Sequence, residues 1–298
     1  MEKVIVIVGV TAVGKTSMSI KLAKAINGEI INGDALQVYK ELNIITDKIS
    51  EDKKQGVPHN LLNIKSINED YSVEEYQSNI RKVISEVISR GHTPIIVGGT
   101  GIYIKAALYD YTFQKENISN KEIEEKYKDK SNDELYELLN SLDPKACESI
   151  HKNNRRRVLR AIAIYETTGV SKSSLIENQK HEMIYDALLI GLDMDKDIVN
   201  AKIDARIEQM FDEGVIEEVK NNKTTSTASK AIGYKEITSY LNNEISLNEA
   251  KELMKIHTHQ YGKRQRTWFK NQFDVNWIYN DENAFDKVLD LVKNWENK

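Results

Sequence analysis

Residues 1–23 read MEKVIVIVGVTAVGKTSMSIKLA, and this stretch decides the fold. Inside it GVTAVGKT, Gly9 to Thr16, fits G-x-x-x-x-G-K-[ST], a glycine-rich turn whose backbone N–H groups wrap oligophosphate. Ahead of it Val4–Val8 is an unbroken apolar run, the pattern of a strand buried on both faces of a parallel sheet. Behind it Ser17–Ile26 reads as a helix, so the motif stands in the strand–turn–helix context that its chemistry needs. Lys15 then neutralises phosphate charge, the Thr16 hydroxyl is placed to ligate Mg²⁺, and the helix start adds its positive dipole end.

Working outward, strand and helix alternate up to about residue 110. EIINGD follows the first helix, Val73–Ser89 is helical, and TPIIVGGT supplies another buried strand. The order implies a parallel sheet flanked by helices, a P-loop NTPase-like α/β core, with ligands at the carboxyl ends of the strands. The turns Gly9–Thr16, Gly33–Tyr39 and Gly98–Thr100 should then meet in one crevice. From Phe113 to Tyr185 charged, helix-favouring residues dominate, and a strand run returns only at Ala187–Leu192. The expected organisation is a discontinuous core, 1–112 and 186–298, with an all-helical insertion at 113–185.

Several stretches carry chemistry, each with a plain structural alternative. Asp34 ends the second strand, where a carboxylate faces the phosphates as base or water-mediated metal ligand, or caps a helix. Thr100, in VGGTGIY, donates into the crevice or is itself an N-cap. Glycines and threonine stand where a P-loop ATPase carries an acid, which argues against nucleotide hydrolysis. Two stretches are basic without an intervening acid: one holds Lys152, Arg155, Arg156, Arg157 and Arg160, the other Lys255, Lys263, Arg264, Arg266 and Lys270. Both read as phosphate-contacting patches or as solvated faces, with Tyr261, Trp268 and Phe269 of the second expected mainly in the core. KAIGYKEI, Lys230 to Ile237, is a weak signal alone. Arg206, on NAKIDARIEQMF, reads by default as a surface arginine. His257 and His259 are poorly spaced for a metal on one helical face.

Together these stretches resemble the tRNA dimethylallyltransferase (tRNA isopentenyltransferase) family. Its signatures G-x-T-A-x-G-K-T, D-S-x-Q-V-Y, P-H-H-L-L-D, V-G-G-T-G-L-Y, R-R-V-x-R-A-L-E, A-I-G-Y-K-E and K-R-Q-x-T-W-F read here GVTAVGKT, DALQVY, PHNLLN, VGGTGIY, RRVLRAIA, AIGYKE and KRQRTWF. They occur in family order across nearly the whole chain. The resemblance implies Mg²⁺-dependent transfer of a dimethylallyl group from dimethylallyl diphosphate to N6 of the adenosine 3′ of the anticodon. The acceptors are tRNAs reading codons that begin with U, and the products are N6-isopentenyladenosine and diphosphate.

It also implies the roles. Gly9, Thr11, Ala12, Val13, Gly14, Lys15 and Thr16 hold the diphosphate, with Thr16 on the metal. Asp34, Thr100, Lys15 and Arg206 are catalytic. Asp34, Ala35, Leu36, Gln37 and Thr100 line the adenine pocket. Arg156, Arg157, Arg160, Lys230, Gly233, Tyr234, Lys235, Lys263 and Arg264 contact the rest of the tRNA, whose target base must be flipped out of its stack. Departures from the family pattern fall at Val10, Ala35, Asn60, Asn63, Asn154 and Ala163.

Composition bounds the alternatives. At 298 residues the chain can bury a full core, and its net charge of −4 leaves RNA binding to local patches. One cysteine excludes an intrachain disulfide, and no run is long enough to span a bilayer, so a cytoplasmic enzyme without an obligate protein partner is expected. A P-loop kinase would leave both basic patches unexplained. A nucleotide-gated RNA-binding switch would need a guanine-reading N-K-x-D element. An adenylate isopentenyltransferase would have no use for the insertion or the KRQRTWF tail.

Overall fold

The computed structural model describes residues 1–111, 120–178 and 181–297. In chain order the elements are β1 (Lys3–Gly9), α1 (Lys15–Ile26), β2 (Gly28–Asn32), β3 (His59–Asn60), α2 (Val73–Ser89), β4 (Thr93–Val97) and α3 (Gly101–Leu108). Then come α4 (Asn120–Lys126), α5 (Asn132–Leu142), α6 (Pro144–Cys147), α7 (Arg155–Thr168), α8 (Lys172–Glu177) and β5 (Asp186–Asp193). The chain closes with α9 (Lys196–Asp212), α10 (Val215–Asn221), α11 (Tyr234–Leu241), α12 (Leu247–Gln272), β6 (Asn276–Tyr279) and α13 (Ala284–Glu296).

Two compact units result, one from Met1–Tyr109 with Met183–Lys298 and one from Asp110–Glu182. The expected first edge, between 112 and 113, lies outside the described residues, and the second falls at 182/183 instead of 185/186.

The first unit is built on a six-stranded sheet in the order β3-β2-β4-β1-β5-β6, with every pairing parallel. β1 is central, and Val4 to Val8 are fully buried. Its side chains alternate: Val4, Val6 and Val8 enter one core, while Ile5 and Ile7 enter the other with Leu22 and Val288. Covering both faces is what turns alternation into a continuous apolar run, and each such side chain contributes about 1.5–3 kcal/mol. The sequence reading did not anticipate β3, two residues that pair with Ile30 and Ile31 of β2. It is too short to leave a periodicity.

α12 is a 26-residue helix started by a capping box between Ser246 and Glu249. It carries KRQRTWF past the P-loop closely enough that a Cβ on Gly262 would lie 2.7 Å from Val10 Cγ1. The second unit is all-helical among the described residues, packed around Ile123, Leu135, Leu139, Ile150, Val158, Leu159 and Ile162.

Candidate active site

The carboxyl ends of β1, β2 and β4 are drawn together by the backbone. Gly33 N–H donates to Val97 O (2.8 Å), Gly98 N–H to Ile7 O (3.2 Å) and Thr100 N–H to Gly33 O (3.4 Å). Gly98 has to be glycine, because a Cβ there would stand 2.2 Å from the Gly33 carbonyl oxygen. The three turns therefore share one crevice, as expected.

The P-loop leaves β1 at Gly9 (φ 146°) and passes through Ala12, a non-glycine residue at φ 64°. That left-handed geometry is strained, the kind of conformation held where backbone groups must face a ligand. Lys15 Nζ donates to the carbonyls of Gly9 (3.0 Å) and Val10 (2.8 Å). Burial lowers its pKa to about 8, with the neighbouring charges of Asp34 and Asp47 opposing that shift and Arg206 adding to it. Thr16, at the start of α1, is exposed, whereas Val13 is buried and contributes only backbone to the loop.

Asp34 is not a helix cap. Its amide donates to Asn32 Oδ1 (3.0 Å), and its Oδ1 accepts from Leu36 N–H (2.9 Å). Thr100 is the N-cap residue of α3, yet its hydroxyl makes no capping bond; Oγ1 accepts instead from Ala35 N–H at 3.1 Å. This ties the β4 turn to the Asp34–Gln37 loop. Gln37 Nε2 donates to Thr46 O (3.0 Å), so that side chain supports the neighbouring loop.

Arg206 corrects the surface reading of α9. Its side chain is 23% exposed; Nη1 donates to Thr11 Oγ1 at 2.9 Å and pairs with Asp47 Oδ2 at 3.1 Å. Burial lowers its pKa against the pull of Asp47 and Asp34. The site thus holds two cations, Lys15 and Arg206, within the field of Asp34.

Sequence reasoning passed over four side chains here. Gln265 is buried, accepts from Thr11 N–H (3.0 Å) and donates to Gly99 O (3.0 Å), bridging two turns. Tyr261, read as core, has a pKa pushed up to about 12 by burial and the Asp34 charge. Asn280 Nδ2 donates to Val13 O (2.6 Å), and Asp47 pairs with Arg206. Gln265 and Tyr261 stood in or beside KRQRTWF; Asp47 and Asn280 carried no local signal.

The basic patches divide. On α7, Arg156, Arg157 and Arg160 are exposed, while Arg155 pairs with Glu124 (2.7 Å) and Lys152 with Asp133 (2.7 Å). In the second patch Lys263 and Arg264 are exposed; Arg266 is spent on Asp193 and Met194 O, and Lys255 on Glu208 and Glu252. Phe269 is fully buried, and Trp268 packs against Gly101. Lys230 and Lys235 are exposed.

Gly233 and Tyr234, expected with the RNA-contacting set, are buried. The Tyr234 hydroxyl donates to Asn222 O (2.9 Å) and accepts from Thr224 N–H (2.7 Å), and a Cβ on Gly233 would strike Met254. They hold the loop that presents the two lysines. Among the departures, Asn60 donates to Glu29 (3.0 Å), Asn63 accepts from Lys48 (2.8 Å) and Asn154 caps α7. No cluster of three or more His, Cys, Asp or Glu side chains among the described residues could hold a metal, and no described helix is long and apolar enough to cross a membrane.

A parallel sheet with a P-loop on its central strand, two partly buried cations and a carboxylate at the next strand end define a P-loop-like α/β protein. Within that class the chain belongs to the IPP transferase family, whose model matches residues 37–272. It is 46% identical to the tRNA dimethylallyltransferase of Anoxybacillus flavithermus over 98% of this chain and 95% of the relative. The crystal structure of tRNA delta(2)-isopentenylpyrophosphate transferase from Staphylococcus epidermidis is 37% identical, with TM-score 0.73 over 100% of this chain and 99% of that one. A eukaryotic dimethylallyltransferase described as acting on tRNA aligns with TM-score 0.87 at 30% identity, over 99% of this chain and 80% of that one.

Proposed function

We propose that this protein transfers the dimethylallyl group of dimethylallyl diphosphate to N6 of the adenosine 3′ of the anticodon in tRNAs reading codons that begin with U. The observation that carries this reading is Asp34: its charge reaches both Lys15 and Arg206, while Thr100 fixes the loop behind it. A carboxylate facing a diphosphate cradle, with no acid ending β4, suits transfer to an amine better than nucleotide hydrolysis.

In the transfer the C1–O bond of the donor breaks as the C1–N6 bond forms. The electron pair leaves with diphosphate, and the amine proton passes towards Asp34. With Oδ1 engaged by Leu36, Oδ2 is left to take that proton. The adenine lone pair is delocalised into the ring, so removal of the proton helps most while the new bond forms. Lys15, Arg206 and the P-loop amides meet the charge developing on the leaving group. The Thr16 hydroxyl and donor phosphates form a donor set suited to Mg²⁺, which seldom uses an all-protein cage; there the ion would neutralise diphosphate charge.

The exposed cations Arg156, Arg157, Arg160, Lys230, Lys235, Lys263 and Arg264 take the tRNA backbone, offsetting the few kcal/mol needed to flip the base. Such a substrate goes with a cytoplasmic location. Incubation with Mg²⁺, labelled dimethylallyl diphosphate and either tRNA or AMP tests the reading. Label is expected in tRNA, and Asp34→Asn should cut turnover by about 10²–10⁴ with tRNA affinity retained. Label in AMP alone overturns the substrate, and a large affinity loss makes Asp34 a binding residue.

A further inference from the structure

We propose that Asp47 is an internal counter-ion which the diphosphate displaces from Arg206, so that this carboxylate sets the affinity of the site for its polyanion. The inference rests on the reading of the P-loop as the diphosphate site. Arg206 is largely buried, and its Nη1 is shared between Thr11 Oγ1 (2.9 Å) and Asp47 Oδ2 (3.1 Å). A desolvated guanidinium needs an opposing charge, and here Asp47 supplies it. The same carboxylate acts on Lys15, so its charge falls on both cations that a diphosphate would use.

The geometry favours exchange of the side chain over movement of the loop. The Asp47 side chain is 58% exposed and can turn to water at little cost. Its backbone is held. The Glu218 carboxylate accepts from the amides of Asn43 (2.7 Å), Ile44 (2.8 Å) and Ile45 (2.9 Å). Lys48 Nζ donates to Tyr39 O, Asn43 Oδ1 (3.0 Å) and Asn63 Oδ1 (2.8 Å), and Gln37 grips Thr46 O (3.0 Å). Asp47 itself stands at φ 49°, a left-handed conformation that this anchoring maintains. A carboxylate on a pinned loop keeps Arg206 aligned with the P-loop, yields to an incoming diphosphate and competes with the product.

Calorimetric titration with inorganic pyrophosphate, with and without Mg²⁺, tests this on the full chain. Asp47→Asn, and Asp47→Ala as a second variant, should bind pyrophosphate about three- to tenfold more tightly than the parent in both conditions. Equal or weaker binding overturns the proposal, and weakening only with Mg²⁺ makes Asp47 a metal ligand instead. Failure of the parent chain itself to bind pyrophosphate removes the diphosphate reading of the P-loop and this inference with it; binding by the parent but not by Lys15→Ala keeps that reading whatever Asp47 does.

Discussion

Gln265 and Thr11 lie 254 positions apart in the chain, yet the Gln265 side-chain oxygen accepts the Thr11 amide at 3.0 Å. Its nitrogen donates to Gly99 O, so one buried amide from α12 holds the P-loop and the β4 turn at a set separation. The side chain satisfies two backbone groups that have no strand or helix partner.

Replacing Gln265 by leucine should therefore reach both stability and binding. Leaving the Thr11 N–H and Gly99 C=O unsatisfied costs about 2 kcal/mol or more, and a displaced P-loop raises the donor KM about tenfold. Thermal unfolding and steady-state kinetics report the two effects. An unchanged Tm would show that other groups satisfy the pair.

Lys15 predicts an alkaline limb. Its pKa in the folded chain, about 8, lies below its ordinary 10.5, so the ammonium is lost as pH rises through about 8. kcat/KM for the donor, which reports the free enzyme, should fall above that pH. Lys15→Arg should move the fall to higher pH, since a guanidinium stays protonated. A limb at the same pH in that variant assigns it to another group. The stability term has the opposite sign: the folded chain disfavours the charged form, so Lys15 becomes less destabilising between about pH 8 and 10.5.

Glu29 predicts an acid limb away from the site. Hydrogen bonds from Arg90, together with Asn60 and His92, hold its carboxyl at about 2, against an ordinary 4.5. A lowered carboxylate pKa gives stability that is present above 4.5 and lost as pH falls towards 2; the shift corresponds to about 3 kcal/mol. Chemical denaturation of wild type and Glu29→Gln across that window should converge at low pH. Parallel curves would count against the linkage.

Arg157 and Arg155 make a paired test of the insertion. Arg157 is exposed on α7, so Arg157→Ala should weaken tRNA binding and reduce the salt slope by about one unit if the residue meets a phosphate. Arg155 is bound to Glu124 and to the carbonyls of Tyr127 and Lys130, so Arg155→Ala should lower thermal stability with the slope retained. The reverse pattern would exchange the two roles.

What the residues announce on their own is local. Val4–Val8, the glycine spacing through Thr16, Asp34 at a strand end and the Val73–Ser89 periodicity are legible because each depends on neighbours a few positions away. The KRQRTWF stretch was legible as a motif with its aromatic residues turned to the core, but the inward turn of the polar Gln265 was not. Gln265 and Phe269 are buried, whereas Lys263 and Arg264 are exposed, because α12 presents one face to the sheet. Only the folded chain decided that Arg206 leaves the surface for Thr11, 195 positions away, and that Asp47 meets it there. Such contacts have no sequence period. They exist because a parallel sheet gathers the ends of β1, β2 and β4 at one edge, and whatever α9, α12 and the 43–48 loop place over that edge becomes the site.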